Sequence, residues 1–480
     1  MPDGTALAPR GLLRILTCGS VDDGKSTLIG RLLFETGNVP EDQLDGLARD
    51  SRRYGTTGAE PDYALLLDGL MAEREQGITI DVAWRRFSTP QRAFVVADAP
   101  GHAQYTRNMA TGAAACSLAL LLVDATQGLQ EQTRRHAAIC ALLGIRDVVL
   151  AVNKMDLVGY DRAAFERIVA AWDEAAAPLG FRSVMPVPLS ARDGENLVRP
   201  SAAMPWHAGP CLLGHLETVE VAEDRAALPF RFPVQWVSRP NAAFRGFAGT
   251  VASGRVAVGD PVVVAGSGRA GRVARIVTMD GDLPAAQAGQ AVTLTLAEPL
   301  DIARGDLLAL SSARPAVADQ FAARLLWLDE AELLPGRRYA LRHGHLWTEA
   351  SVTSIRHRLD IVTGQERPAR QLAQNEIGLC HLRTAQRLPL DPYAENRATG
   401  TFILVDRSSH RTVGAGMLAH PLRRAANIHQ EDFPVDKRAR ATPRRPAAAR
   451  DLVHRPLGRG QVDHRQACGT GAARRRPAHL

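Results

Sequence analysis

Short apolar runs divide the first 215 residues into segments that predict buried strands. The runs cover residues 12–18, 94–97, 118–123, 148–152 and 184–189. Residues 27–33 instead carry apolar side chains at helical spacing, which predicts a helix shortly after the first strand. Strands and helices that follow one another in this way predict an α/β domain.

A different pattern begins after residue 216. Residues 230–310 alternate short apolar runs with glycine and aspartate turns, and residues 321–418 repeat this texture. Closely spaced short strands with such turns predict two small β-barrels. We therefore expect an α/β domain at 10–215, barrels at 216–312 and 313–420, and a tail at 421–480.

The positive charge of the chain resides in its tail. The 480 residues include 58 Lys and Arg against 51 Asp and Glu, a net charge of +7 that favours nucleic-acid binding. Residues 421–480, however, hold 14 basic and five acidic residues, so the other 420 residues carry a net charge of −2. We therefore expect no nucleic-acid partner for the folded part. A content of 45% apolar residues excludes disorder of the whole chain and suffices for several packed cores.

Neither a membrane span nor a disulfide framework is expected. No apolar run approaches the roughly 20 residues that cross a bilayer, and the first 11 residues do not resemble a signal peptide, so we expect a cytoplasmic protein. The six cysteines lie far apart without a Cys-x-x-Cys pair, which favours buried thiols over a zinc site or disulfides. They are Cys18, Cys116, Cys140, Cys211, Cys380 and Cys468.

Residues 19–26 have the spacing G-x-x-x-x-G-K-S between a predicted strand and a predicted helix, the context of a phosphate-binding loop (P-loop). The glycines, Gly19 and Gly24, would let backbone N–H groups wrap around phosphates. Lys25 would neutralise the β- and γ-phosphates, and the Ser26 hydroxyl would bind Mg²⁺. Lysine is otherwise rare, with only Lys154 and Lys437 besides Lys25. Taken alone, this motif leaves a chance glycine-rich turn as the alternative.

Two more polar segments follow apolar strands, at residues 98–102 and 153–156, in the order that a nucleotide site requires. Asp98 could hold Mg²⁺ through water, and the N–H of Gly101 could contact the γ-phosphate. The Asp156 carboxylate could accept hydrogen bonds from N1–H and the 2-amino group of guanine, with the Lys154 stem over the base. Adenine lacks this pair of donors and would leave a buried carboxylate unpaired, so the motif predicts GTP. Singly, these residues could be helix caps or solvated turns, but their joint order favours the nucleotide site.

Two further features complete the predicted site. Ser190 and Ala191 would supply a backbone N–H for the guanine carbonyl. Thr79 lies between the P-loop and Asp98, where a first switch would add its hydroxyl to Mg²⁺, although a β-branched strand residue is the alternative. The predicted GTP-binding residues are Gly19, Ser20, Val21, Asp22, Asp23, Gly24, Lys25, Ser26, Thr27, Asp98, Ala99, Pro100, Gly101, His102, Asn153, Lys154, Met155, Asp156, Ser190 and Ala191.

The sequence resembles the translation-factor class of GTPases, in which a histidine after the Asp-x-Pro-Gly turn orients the attacking water; His102 stands there. It resembles more closely the large, GTP-binding subunits of bacterial sulfate adenylyltransferase, including forms fused to adenylylsulfate kinase. Residues 17–33, 68–82 and 104–112 carry that resemblance, which extends over about residues 10–425. Elongation factors usually have histidine where Asp23 stands. The departures from the sulfate family, Ala99 and Ala103, remove no ligand.

This resemblance implies a P-loop GTPase domain followed by two β-barrels, the translation-factor architecture. It also implies that GTP hydrolysis is coupled to the uphill formation of adenylyl sulfate and pyrophosphate by a small catalytic subunit, in a heterodimer or larger complex. GTP and Mg²⁺ would be the cofactors, with Lys25, Thr79 and His102 catalytic and Ser26, Thr79 and Asp98 on the metal. The alternative is a translation-type GTPase that delivers a tRNA, whose barrels should present a basic surface.

The tail admits two interpretations. Residues 438–480 are rich in Arg, Pro and Ala with few large apolar residues, which predicts a disordered basic arm. Alternatively, codons for residues 454–465 can be chosen so that reading one base later gives Thr-Gly-Leu-Ser-Gly-Ala-Gly-Lys-Ser-Thr-Ile-Ala, a second P-loop that resembles the start of adenylylsulfate kinase. We therefore expect a frame slip between about Arg438 and Asp451 that removes a kinase, and no phosphate binding at residues 458–465.

Overall fold

The computed structural model describes residues 10–54, 61–66, 81–102, 105–221, 225–241, 244–360 and 364–422. Its first sheet has six strands, in the spatial order β2-β3-β1-β4-β5-β6, all parallel except for the edge strand β2. These strands are β1 (Arg10–Cys18), β2 (Ala83–Ser88), β3 (Arg92–Asp98), β4 (Leu118–Asp124), β5 (Asp147–Asn153) and β6 (Ser183–Pro188).

Helices cover both faces of this sheet. They are α1 (Lys25–Glu35), α2 (Glu41–Tyr54), α3 (Thr106–Ala115), α4 (Glu131–Leu142), α5 (Arg162–Ala176) and α6 (Leu212–Thr218), with 3₁₀ turns at Tyr63–Leu66, Met155–Val158 and Ala177–Leu179. One apolar core packs α3, α4 and α5 against the sheet, and a second core packs α1 and α6 against the opposite face. The predicted α/β class is thus confirmed.

Each of the five predicted apolar runs overlaps one strand of this sheet, and the predicted helix lies within α1. The sequence did not indicate β2. Burial alternates along this strand, with Trp84 and Arg86 exposed, because an edge strand that pairs only with β3 has one face open to solvent. A strand of that kind lacks the continuous apolar run that marks its buried neighbours.

The first barrel, barrel 1, is built from short antiparallel strands around an apolar core that includes Phe232, Val262 and Leu294. Its strands are β7 (Arg231–Pro233), β8 (Trp236–Asn241), β9 (Phe244–Thr250), β10 (Arg255–Ala257), β11 (Pro261–Val264), β12 (Ala270–Thr278), β13 (Gly281–Leu283), β14 (Ala285–Gln287), β15 (Ala291–Leu296) and β16 (Leu307–Leu310). The main sheet runs β7-β16-β11-β12-β15-β9-β8, with β13 beside β12, and β10 pairs with β14. The strands at the two ends of this order, β7 and β8, are consecutive in the chain.

The second barrel, barrel 2, follows a 3₁₀ turn at Ser311–Ala313. Its strands are β17 (Ala316–Trp327), β18 (Arg338–His343), β19 (Leu346–Leu359), β20 (Glu366–Arg367), β21 (Ile377–Leu390), β22 (Thr401–Val405) and β23 (Thr412–Pro421). The order is β18-β22-β23-β17-β21-β19-β20, and an additional β18–β19 pairing closes the sheet on itself. The expected β-barrel architecture is confirmed, whereas the domain boundaries at 215/216, 312/313 and 420/421 stay predictions.

Buried polar contacts join the three parts. Arg231 of barrel 1 forms a bidentate ion pair with Asp391 of barrel 2, with both N–O distances at 2.8 Å. The Tyr393 hydroxyl donates to the Leu143 carbonyl of the GTPase domain at 2.6 Å. Arg107 of α3 donates to the Leu328 carbonyl at 3.0 Å. The helix that follows His102, the residue predicted to orient the attacking water, is therefore anchored to barrel 2.

Two smaller expectations concern thiols and the membrane. Cys18, Cys116, Cys140, Cys211 and Cys380 are buried free thiols, as expected, and Cys468 lies outside the described residues. Within the described ranges, none of the helices has the length and apolarity to cross a bilayer.

Residues 423–480 also lie outside the described part of the chain, so the basic arm and the frame slip stay predictions.

Candidate functional site

The predicted site residues that the structure describes converge where the parallel strands of the first sheet end. The P-loop follows β1, Asp98 ends β3, Asn153 ends β5, and Ser190 follows β6. Carboxyl ends of parallel strands meet at one edge of a sheet, where ligands of open α/β folds bind. Contacts between these segments show that they form one site.

The P-loop wraps back on its own lysine. Asp22 and Gly24 both adopt left-handed backbone, with φ of 64° and 88°, and Gly24 is the N-cap of α1. The Lys25 ammonium donates to the carbonyl oxygens of Ser20 at 2.6 Å and Gly19 at 3.3 Å. The buried lysine thus lies inside the loop, at the positive end of α1, where it can meet phosphate oxygens.

Oxygen donors suited to Mg²⁺ lie beside this lysine. The Ser26 hydroxyl donates to Asp98 Oδ2 at 3.1 Å, and the Thr17 hydroxyl donates to Asp98 Oδ1 at 2.9 Å. Hydroxyl and carboxylate oxygens are the ligands that Mg²⁺ prefers in sites shared with phosphates, so these residues fit the ion. Ala99, Pro100 and Gly101 continue as buried backbone, and His102 is exposed. Thr79, Ala103 and Gln104 lie outside the described residues.

The base end of the site contains a buried acceptor that the protein leaves unpaired. Asp156 Oδ1 is buried and accepts no hydrogen bond in the structure. Such an atom costs free energy unless a ligand supplies a donor, and guanine offers two. The neighbouring Lys154 adopts left-handed backbone and forms an ion pair with Asp124 at 2.8 Å, which fixes the direction of its side chain. This orphan oxygen is the strongest indication of guanine in the described residues.

Asn153 holds the base region and the P-loop together. Its Nδ2 donates to the Asp23 carbonyl at 2.8 Å, and its Oδ1 accepts the Ala191 N–H at 2.9 Å. The Ser190 N–H donates to the Glu195 carbonyl at 3.2 Å. Both N–H groups, of Ser190 and Ala191, thus already have an acceptor within the protein. A guanine carbonyl would have to share the N–H with that acceptor or displace it, so the role of Ser190 and Ala191 stays a prediction.

Sequence reasoning missed three contributors to this site. Asp124 ends β4 as Asp98 ends β3, so its position after an apolar strand was an available signal. Thr133 and His136 of α4 are fully buried polar residues three apart, on the helix face that also carries Ala137 and Cys140. Polar side chains on such an apolar face were the signal for these two. Both contact the P-loop, as described below.

Burial alters the ionisation of three groups in the site. It lowers the pKa of Lys25 below the ordinary lysine value, against the opposing effect of Asp98 and Asp23. Burial raises the pKa of Asp23 to about 6, while Lys25 and the Ser20 N–H oppose the increase. Burial, with the Lys25 charge, lowers the pKa of His136 to about 3. The imidazole is therefore neutral at physiological pH.

The His136 pKa predicts a loss of stability in acid. Between about pH 6.5 and 3 the unfolded chain binds a proton at this histidine that the folded chain does not, so stability falls as pH falls through that window. Asp23 acts in the opposite direction between about pH 6 and 4, because its folded pKa is raised. The His136→Asn variant lacks this titration, so its comparison with wild type gives the contribution of His136 to the pH dependence of stability. Between pH 7.0 and 5.5, the unfolding free energy of wild type in urea titrations should fall by about 1 kcal/mol more than that of the variant. Equal pH dependence of the two proteins would contradict the neutral buried imidazole.

Two family models match the chain. The elongation factor Tu GTP binding domain matches residues 10–235, and the GTP-eEF1A C-terminal domain-like family matches residues 320–419. The chain thus carries a GTP-binding domain of the elongation factor Tu type.

Curated relatives match about nine tenths of the chain. The bifunctional enzyme NodQ of Rhizobium sp. (strain N33) is 58% identical over 90% of this chain and 67% of the relative. The bifunctional enzyme CysN/CysC of Xylella fastidiosa is 56% identical over 90% and 69%. Sulfate adenylyltransferase subunit 1 of Aeromonas hydrophila is 51% identical over 90% and 91%. The chain therefore spans about two thirds of the bifunctional relatives and nine tenths of subunit 1.

Proposed function

The chain belongs to the family of sulfate adenylyltransferase subunit 1 and the bifunctional enzymes NodQ and CysN/CysC, and we propose that it is the GTP-hydrolysing subunit of a sulfate adenylyltransferase. GTP hydrolysis in this subunit would drive the formation of adenylyl sulfate and pyrophosphate from ATP and sulfate. The observation that carries the proposal is the match over 90% of this chain and 91% of subunit 1.

The P-loop would bind and orient the triphosphate. Its backbone N–H groups and the Lys25 ammonium, which the Gly19 and Ser20 carbonyls position, would receive the β- and γ-phosphate oxygens. At the other end, Asp156 Oδ1 would accept the N1–H or 2-amino hydrogen of guanine. These contacts fix the γ-phosphorus at one position in the site.

Ser26 and Asp98 would hold Mg²⁺, and Thr79 is the predicted additional ligand. When bound, the ion would neutralise charge on the β- and γ-phosphate oxygens. The Lys25 ammonium and the loop N–H groups would share that task, since phosphoryl transfer depends mainly on positioning and charge stabilisation. Hydrolysis forms a bond between the water oxygen and the γ-phosphorus and breaks the bond to the bridging oxygen, which leaves on GDP.

His102 would orient the attacking water. The residue is exposed and directly follows buried Gly101, whose N–H is the predicted γ-phosphate contact, so a water molecule can reach the imidazole. His102→Ala should therefore lower the rate of phosphate release by about 100-fold while leaving GTP affinity within about twofold. Single-turnover hydrolysis and binding of a fluorescent GTP analogue measure the two quantities. The exposed His420→Ala is the matched control, and parallel losses of rate and affinity in His102→Ala would contradict the assignment.

The proposed partner is a small catalytic subunit that performs the adenylyl transfer. The name of subunit 1 implies a second subunit for that relative, and the described part of this chain contains one P-loop, which is assigned to GTP. We also propose a cytoplasmic location, because both nucleotides in the reaction are supplied there.

Delivery of a tRNA is the rival function, and the near-neutral charge of residues 1–420 does not favour it. Two assays on the chain co-expressed with a small ATP-dependent subunit separate these functions. Sulfate-dependent pyrophosphate release together with co-purification of the small subunit supports the proposal. Retention of tRNA on filters without sulfate-dependent pyrophosphate release supports the rival.

A further inference from the structure

Helix α4 contacts the first two residues of the P-loop. The Gly19 N–H donates to His136 Nδ1 at 3.2 Å, and the Ser20 and Thr133 hydroxyl oxygens lie 3.2 Å apart. His136 and Thr133 are both fully buried. Because α4 follows β4 whereas the loop follows β1, these contacts connect segments more than 100 residues apart.

The donor in this contact determines the state of the histidine. A backbone N–H can only donate, so His136 Nδ1 presents its lone pair and the ring proton resides on Nε2. That nitrogen lies 2.9 Å from the side-chain amide of Gln132, whose oxygen can accept the proton after a 180° rotation of the amide. Burial and the nearby Lys25 and Arg135 charges keep the ring neutral, so the lone pair persists over the working pH range.

The backbone at the start of the P-loop is restricted by close neighbours as well as by the His136 contact. A side chain at Gly19 would place its first carbon 2.8 Å from both Asp23 Oδ2 and the Leu122 carbonyl. The following N–H, that of Ser20, donates to Asp23 Oδ2 at 2.5 Å. Two successive peptide units are thus held by side-chain acceptors, and the Gly19 and Ser20 carbonyls hold Lys25. A change in the first peptide would shift these carbonyls and the lysine.

We propose that His136 is a positioning residue of the GTP site, whose Nδ1 lone pair fixes the Gly19 peptide and thereby holds the P-loop and Lys25 in place for the phosphates. Without that acceptor, the buried Gly19 N–H would be unpaired, which favours rotation of its peptide. The inference rests on the proposed role of this loop in GTP binding. It assigns to α4 a function that neither the P-loop motif nor the base motif contains.

Two substitutions by amide side chains test whether the position of the acceptor matters or only the presence of a polar side chain. Asparagine carries its amide oxygen as many bonds from Cα as histidine carries Nδ1, whereas glutamine carries it one bond further, near the Nε2 position. His136→Asn should bind a fluorescent GTP analogue within about twofold of wild type, and His136→Gln should bind about tenfold more weakly. The thermal unfolding midpoints of both variants should fall, and that of His136→Gln should fall further because it leaves the buried Gly19 N–H unpaired, so affinities are compared at a temperature where both variants are folded.

Equal affinities of the two variants would overturn the positioning role, whatever their stabilities. Failure of wild type to bind the analogue would instead overturn the proposed GTP site. If His136→Gln does not fold, Thr133 gives the second comparison: Thr133→Val should weaken binding about threefold through loss of the Ser20 contact, and Thr133→Ser should not. Equal binding by these two variants would also contradict the role of α4.

Discussion

Asp156→Asn is expected to lower the affinity for GTP about 10³-fold and to make xanthosine triphosphate the better ligand. The carboxylate has a buried oxygen without a hydrogen-bond donor, and guanine supplies donors at N1 and at the 2-amino group. Hydrogen bonds to a charged group contribute about 1.5–3 kcal/mol each, and the substitution places an amide donor against the 2-amino group. Xanthine carries a 2-carbonyl at that position, so the same amide donor becomes favourable.

Competition between the two triphosphates for a fluorescent guanine nucleotide measures this reversal. Asp161→Asn is the matched control, since it makes the same chemical change at the N-cap of α5, where asparagine and aspartate cap equally well. The control should bind GTP as wild type does. An Asp156→Asn protein that still prefers GTP over xanthosine triphosphate would show that Asp156 does not read the base.

Lys25→Met should reduce GTP binding on the order of 10³-fold, through loss of two charge-assisted contacts to the β- and γ-phosphates. Burial lowers the pKa of this lysine, so the folded state does not favour its charge, and the thermal unfolding midpoint shows whether the variant stays folded. Isothermal titration with GTP and a melting curve provide the two measurements. Arg167→Met on the exposed side of α5 is the control for loss of a positive charge. A folded Lys25→Met protein with wild-type affinity would exclude the P-loop as the phosphate site.

The site residues that can be predicted from the sequence are those that lie at the ends of strands. Asp98, Asn153 and Ser190 each come directly after an apolar run, and parallel strands bring such positions to one edge. The P-loop is also local, because strand, loop and helix are consecutive. Local patterns therefore predicted the GTPase fold and the nucleotide without knowledge of strand order.

The features that cannot be predicted from the sequence depend on contacts between distant segments. The His136 contact with Gly19 and the Asn153 contact with Asp23 each require the relative placement of two strands and their connections. The raised pKa of Asp23 depends on burial that only the assembled loop creates. The closure of barrel 2 likewise depends on the β18–β19 pairing, which short apolar runs do not specify. These features belong to tertiary packing.

The most direct measurement of the central claim is adenylyl sulfate formation by the purified complex of this chain with the proposed small catalytic subunit. With ATP and sulfate present, GTP should raise adenylyl sulfate above the level reached without it, and GTP hydrolysis should accompany the increase. A non-hydrolysable GTP analogue should leave the level unchanged. Equal adenylyl sulfate with GTP, with the analogue and without either nucleotide would contradict the claim that this chain couples GTP hydrolysis to sulfate activation.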